Sequence, residues 1–265
     1  MPGQNVILIT GASSGIGKTC FDHLTKLSHV VYGTSRSDFD AKRMLQMDVT
    51  RPDSIKNVVN YILEEHRRID VLINNAGISL VGAAEDTNIT EARAQMETNF
   101  WGVIHMNNAI LPTMRKQHCG KIIHIGSLAG LFAIPYQSYY TASKHALEGY
   151  CESLRMEVDR FDIHISLVEP GDFRSAISEN RIIAKEAFSD IYRESFQNAF
   201  GIITKGEKLG GDTRKIALLM EKIIDSKAPK LRYLVGKPLD TLAARVKPYI
   251  PQRLFQWLIM NHYQI

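Results

Sequence analysis

Short apolar runs alternate with amphipathic segments along most of this chain. The runs are NVILIT at 5–10, VVYGTS at 30–35, MLQMDV at 44–49, DVLINN at 70–75, KIIHIGS at 121–127, HISLVEP at 164–170 and LRYLVG at 231–236. They are rich in Val and Ile and mostly lack the polar alternation of a half-exposed strand, so each reads as a strand buried on both faces. Between the first six the spacing becomes helical. Ile55, Val58, Val59, Ile62 and Leu63 follow the start signal Pro52, and Ala146, Leu147, Tyr150, Leu154, Val158 and Phe161 predict a helix over roughly 138–160. Such alternation predicts an α/β fold: a doubly wound parallel sheet of about seven strands with helices on both faces. No repeat, low-complexity tract or linker divides residues 1–265, so one domain is expected.

Composition changes this picture little. A hydrophobic content of 45% over 265 residues supplies one large core. Three scattered cysteines (Cys20, Cys119, Cys151) without a CxxC indicate neither disulfides nor a metal centre, and they favour a reducing, cytoplasmic compartment. MPGQNVILIT lacks the basic region and long apolar stretch of a signal peptide or membrane span. Charge is uneven. Residues 227–265 carry seven basic side chains against Asp240 alone, so a net +4 leaves −2 for the first 226 residues. Basicity belongs to the C-terminal segment, and no nucleic-acid-binding face is indicated.

The first strand-to-helix junction, ILITGASSGIGKTCFDHL, holds Gly11, Gly15 and Gly17. Glycines there permit a tight turn, close backbone approach to a pyrophosphate and close packing of helix on strand, with the phosphates at the helix N-terminus. Gly11 to Gly15 also fits the G-x-S-x-G elbow of serine hydrolases, but that elbow normally follows several strands and leaves Gly17 unexplained. At the end of the second strand Ser35 stands where NAD enzymes usually carry an acid, and Arg36 follows it. An arginine there suits a 2′-phosphate, so NADP(H) is expected in preference to NAD(H). Asp38 and Asp40 are read as loop residues.

PYQSYYTASKHA at 135–146 sets three tyrosines beside Lys144. A helix turns about 100° per residue, so Tyr140 shares a face with Lys144 while Tyr139 points away. An ammonium one turn distant lowers a phenol pKa and suits the phenol to general acid–base work. The spacing alone is weak, as Tyr233 and Lys237 share it in a strand and turn.

The glycine turn, NNAG at 74–77 and Tyr140-x-x-x-Lys144 stand in one order and spacing that resembles the short-chain dehydrogenase/reductase family over roughly residues 5–236. The resemblance implies a Rossmann-like sheet with strand order 3-2-1-4-5-6-7. It also implies roles. Thr10 to Gly17 form the dinucleotide loop, with Ser13, Ser14 and Ile16 near phosphates and ribose. Asp48 and Val49 contact adenine; Asn75, Ala76 and Gly77 run along the ribose. Asn99 holds a water of a proton relay, and Ser127 orients the substrate carbonyl. Tyr140 is the general acid/base, and Lys144 lowers its pKa and holds the nicotinamide ribose. Pro170, Gly171 and Phe173 flank the nicotinamide. Ser175 stands where the family usually has threonine and retains the hydroxyl. In isolation Asn74 and Asn75 also read as caps of their own strand, and Ser127 as a cap of the loop after its strand.

Downstream, Phe188, Tyr192, Phe196 and Phe200 make an aromatic stripe on an expected helix within a substrate-covering segment at 172–212. Such a segment implies a large apolar carbonyl or alcohol, a steroid, retinoid or long acyl chain, as in the 17β-hydroxysteroid and retinol dehydrogenase branches. The basic, apolar segment 237–265 clusters Leu254, Phe255, Trp257, Leu258, Ile259 and Met260. Packing within or between subunits is its expected use; an anionic membrane surface or closure over the pocket are the alternatives. A homodimer or homotetramer is expected, built on Met106, Ile110, Met114, Leu147, Tyr150, Cys151 and Leu154 of two amphipathic helices. The expected activity is NADP(H)-dependent carbonyl reduction or alcohol oxidation, and the rival is a dinucleotide sensor that turns nothing over.

Overall fold

The computed structural model describes residues 4–37, 41–174, 181–187 and 189–265. Its main sheet joins β1 (Val6–Ile9), β2 (Val30–Ser35), β3 (Met44–Gln46), β4 (Val71–Asn74), β6 (Gly120–Ile125), β7 (Ile163–Pro170) and β9 (Arg232–Val235) in the order β3-β2-β1-β4-β6-β7-β9. All the pairings are parallel, with Leu8 opposite Tyr32 on one side and Leu72 on the other. Two short strands unforeseen in the sequence, β5 (Leu80–Val81) and β8 (Ile182–Ile183), pair separately. Leaving these two aside, the order is the expected 3-2-1-4-5-6-7.

Alternate residues of each strand feed separate cores, because successive side chains point to opposite faces. Val6 and Leu8 face α2 (Pro52–His66), α4 (Gly102–Gln117) and α5 (Ser138–Val158). Ile7 and Ile9 face α1 (Gly15–Lys26) and α7 (Arg214–Asp225). Between them α3 (Ile89–Met96) starts at a reciprocal cap in which Asn88 and Glu91 satisfy each other's backbone N–H groups. A π-helical turn at Glu97–Trp101 then leads into α4.

The substrate-covering region lines the crevice through Ile202, Ile203, Lys205 and Gly206 rather than through its aromatic residues. Its helix, α6 (Arg193–Lys208), begins after Tyr192, and Phe188 lies outside the described residues. Tyr192, Phe196 and Phe200 do not line the cavity. Phe196 is fully buried against Leu80, Val81, Ala184 and Ala187, and stacks on Phe200 at 5.5 Å. Tyr136 and Tyr139 join the same cluster as packing residues. The C-terminal segment forms α8 (Pro238–Val246) and α9 (Gln252–Tyr263). Ala244 and Phe255 pack on Leu128 and Phe132, so one face is anchored and the rest of α9 stays largely exposed.

Candidate active site

Parallel strands leave their carboxyl ends along one edge of the sheet, where a doubly wound fold opens its crevice. Here that crevice is a cavity of about 1350 Å³. The volume exceeds the ~300–1,000 Å³ usual for one small ligand, leaving room for a dinucleotide and a substrate together.

One end is built from the β1–α1 turn. Gly11 has φ +65°, and a Cβ on it would come within 2.9 Å of the Ala76 backbone. On Gly17 a Cβ would stand 2.2 Å from the Gly11 carbonyl, so the helix can seat itself this closely only without a side chain. Asn75 locks the turn: its amide donates to the carbonyls of Thr10 and Gly11, each at 2.9 Å. Thr10 Oγ1 in return accepts the N–H groups of Asn75 and Ala76. Gly11, Ser13, Ser14, Gly15 and Ile16 line the cavity, whereas Gly17 stands behind the wall and acts through packing. The N-terminus of α1 has no side-chain cap and no acid in its first turn, so its N–H groups suit an anion. Ser35, the exposed Arg36, Asp48 and Val49 line the adjoining wall. Asp48 Oδ1 is bonded to the backbone and hydroxyl of Thr50. This donor set fits a dinucleotide.

The middle of the cavity brings together Asn99, Ser127, Tyr140 and Lys144, alongside Asn75, Ala76, Gly77, Pro170, Gly171 and Phe173. Ser175 lies outside the described residues. Asn99 sits in the π-helical turn and is buried, and its amide both donates to and accepts from the backbone of Ile78, at 2.9 Å each. The extra residue of a π turn aims a side chain that an unbroken α-helix would carry elsewhere. Ser127 caps the short turn Leu128–Gly130 through its hydroxyl, so the capping role and a place in the site coexist. Lys144 is buried and donates to the Ile125 carbonyl at 2.8 Å, with its ammonium 5.8 Å from the centre of the Tyr140 ring.

The electrostatics run against one expectation. Burial pushes the Tyr140 phenol up to about 12, opposed by its bond to Ser127. Burial outweighs the groups that would lower it, so the phenol stands above its ordinary value. Burial also lowers Lys144 from the usual lysine range, with Glu169 opposing.

Glu169 was not singled out in the sequence. It is fully buried at the end of β7, and its Oε2 accepts the Ser127 N–H at 2.6 Å. Burial and the neighbouring Glu148 push its carboxyl well above the usual range, while Glu148 is held by Arg232 at 2.5 Å. The available signal was a charged residue in a strand otherwise fit for burial on both faces. The far end of the cavity is walled by segment 237–265, for which closure over the pocket was an alternative and packing the expected use. Leu239, Leu242, Ala243 and Val246 of α8, with Ile250, Phe255, Leu258 and Ile259, give it a broad apolar wall.

Residues 5–186 match the model of the short chain dehydrogenase family. A 3-ketodihydrosphingosine reductase of Bacteroides thetaiotaomicron is 43% identical over 264 residues, covering 98% of each chain. Among solved structures, a short-chain dehydrogenase from Streptomyces avermitilis superposes with a TM-score of 0.81 at 29% identity, covering 94% of this chain and 97% of that one. ElxO with NADP bound superposes with a TM-score of 0.72 at 29% identity, covering 88% and 96%.

Proposed function

The chain belongs to the short-chain dehydrogenase family, an oxidoreductase family that binds a nicotinamide dinucleotide, and from that premise we propose an NADPH-dependent reductase of a ketone on a long apolar chain. The observation that carries this reading is the meeting of Ser127, Tyr140 and Lys144 with an apolar wall in one cavity. A 3-ketodihydrosphingosine-type substrate is supported by the relative of that name, which matches this chain end to end. NADP(H) is supported by Arg36 beside Ser35 and by the NADP-bound neighbour.

When bound, NADPH supplies the hydride that reduces the carbonyl carbon. Tyr140, protonated across the neutral range, gives its phenolic proton to the carbonyl oxygen. The Ser127 hydroxyl bonds that oxygen and orients it. Lys144, one helical turn from Tyr140, stabilises the phenolate left after transfer. Asn99 holds the Ile78 backbone in place along the cavity. A protein that only sensed the dinucleotide would have no use for a buried acid.

The test is NADPH consumption with 3-ketodihydrosphingosine and with short ketones that lack the chain. A preference for the long-chain ketone in kcat/KM is expected. Turnover of neither class would overturn the reading.

A further inference from the structure

Helices α8 and α9 also present an exposed face beside the mouth of the cavity. On α9, about 100° of turn per residue places Arg253, Trp257 and Met260 on the side opposite Phe255, with Leu254 at the edge of that side. Leu254 is 49% exposed, Trp257 59% and Met260 40%. On α8 and the turn after it, Leu239, Leu242 and Tyr249 are also exposed. Of these exposed residues, Leu239 and Leu242, with Leu258 of α9, also line the cavity, as does the exposed Leu209 just after α6. The apolar surface is therefore continuous with the cavity mouth. Exposed apolar surface at the mouth of a pocket marks a docking site rather than scattered surface residues.

Charge identifies the occupant. Over residues 237–265 the basic side chains are Lys237, Arg245, Lys247 and Arg253, and the one carboxylate side chain is Asp240, which lines the cavity. Lys247 is tied to the Leu131 carbonyl at 2.6 Å, whereas Lys237, Arg245 and Arg253 are exposed. Lys205 and Lys208 of α6 add two more exposed cations beside Leu209. A second copy of this chain on a two-fold axis would bring Arg245 and Arg253 towards their own counterparts, a like-charge contact. An anionic bilayer answers both features. Apolar side chains enter the headgroup boundary, Trp and Tyr sit at that level, and cations meet lipid phosphates. Among the described residues, no helix is long and apolar enough to cross a membrane, so the contact would be peripheral.

We propose that the outer face of α8 and α9 docks this protein on an anionic membrane surface, with the cavity mouth turned towards the lipid. An apolar ketone then passes from bilayer to cavity without crossing water. That last clause rests on the substrate reading above; the docking itself does not.

The experiment uses the full chain, without substrate, and vesicles of phosphatidylcholine alone or in equal parts with phosphatidylglycerol. Co-sedimentation with the anionic vesicles, weakened by salt, is expected. Neutral vesicles, the Arg245→Glu/Arg253→Glu variant and the Leu254→Glu/Trp257→Glu variant should each need at least about tenfold more lipid for half-binding. None of these four residues lines the cavity, and retained NADPH binding reports that each variant is folded. A second readout leaves the face intact. The chain has two tryptophans, so Trp101→Phe makes Trp257 the only emitter. Its emission should shift to the blue and be quenched by brominated lipid on anionic vesicles. Absence of sedimentation, a Trp257 signal indifferent to vesicles, or a Leu254→Glu/Trp257→Glu variant that binds as well as the parent would each overturn the proposal. So would a face already covered by a second copy, seen as a halved mass in the Leu254→Glu/Trp257→Glu variant. Docking without ketone turnover would overturn the proposed function and leave this inference standing; turnover without docking would do the reverse.

Discussion

A phenol pushed up to about 12 is an acid that keeps its proton until a stronger base forms beside it, and that condition suits Tyr140 to reduction. Tyr140→Phe keeps the ring and removes the acid, so kcat should fall at least about 100-fold while the NADPH dissociation constant stays within a few-fold. Tyr139→Phe is the matched control, since its hydroxyl reaches the Ala84 carbonyl at 3.4 Å, away from the site, and turnover should hardly change. Arg36→Ala should weaken NADPH binding roughly tenfold or more by removing a charge-assisted contact, and leave NADH binding unchanged. Equal losses for both cofactors would remove Arg36 as the discriminator. His124 governs acid stability. It is fully buried in β6, its ring accepts from the Asn74 amide at 3.2 Å, and burial lowers it from 6.5 to about 3. Below pH 6.5 the unfolded chain binds a proton that the folded protein refuses until about pH 3. Stability should therefore fall as pH drops through that window, by about 1.4 kcal/mol per unit from this group. Urea midpoints measured against pH should show a shallower fall in His124→Asn. Tyr140 and Lys144 were legible because helical spacing and chemistry coincide there. His124 and Glu169 were not, because their meaning comes from burial and from neighbours on other elements.

Elements were legible to the extent that they repeat. Five of the strands in the main sheet, β1, β2, β4, β6 and β7, are almost wholly buried, so their Val and Ile content announced them, whereas the edge strands β3 and β9 are only partly buried. β5 and β8 are two residues each, too short to carry a period. The π-helical turn that places Asn99 has no periodic signal either, since one added residue shifts register without changing composition. The aromatic stripe was visible but its direction was not: helical spacing shows that a face exists, and Phe196 turned it towards Leu80 and Val81. At the first turn, sequence and structure meet in Gly17, whose missing side chain lets α1 close on Gly11 and Asn75. Gly17→Ala should push α1 outward, cost about 1–3 kcal/mol of stability as an overpacked contact, and weaken NADPH binding together with it. Thermal unfolding with and without NADPH separates the two effects. A melting temperature equal to the parent's would show that the turn relaxes at no cost.

At the scale of the whole molecule, assembly has to be argued from surfaces other than the ones the sequence suggested. Met106, Ile110, Met114, Leu147, Cys151 and Leu154 are all buried within the subunit, spent on the sheet, so they offer nothing to a partner. What α4 and α5 do present outward is narrower. On α5, Ala142, His145, Gly149 and Met156 fall within one stripe at 100° per residue, and Met156 is 76% exposed. Just before α4, Trp101 is 46% exposed and aligns with Asn108 and Pro112. Small residues on such a stripe let two helices approach closely, and a two-fold axis through it gives an isologous dimer. The expected particle is therefore a dimer of twice 29.9 kDa. A tetramer would need a second interface, and the α8–α9 face carries the wrong charge for one. Gly149 is the position that decides, because a Cβ built there meets nothing within 4 Å. In a lone subunit Gly149→Lys fills open space and improves helix propensity by roughly 0.5–1 kcal/mol. In a dimer packed on this stripe the same side chain blocks the approach. Light scattering should show the parent at the dimer mass and Gly149→Lys at the monomer mass, with secondary structure unchanged. A parent that scatters as a monomer, or a variant that stays dimeric, would remove α4 and α5 as the interface.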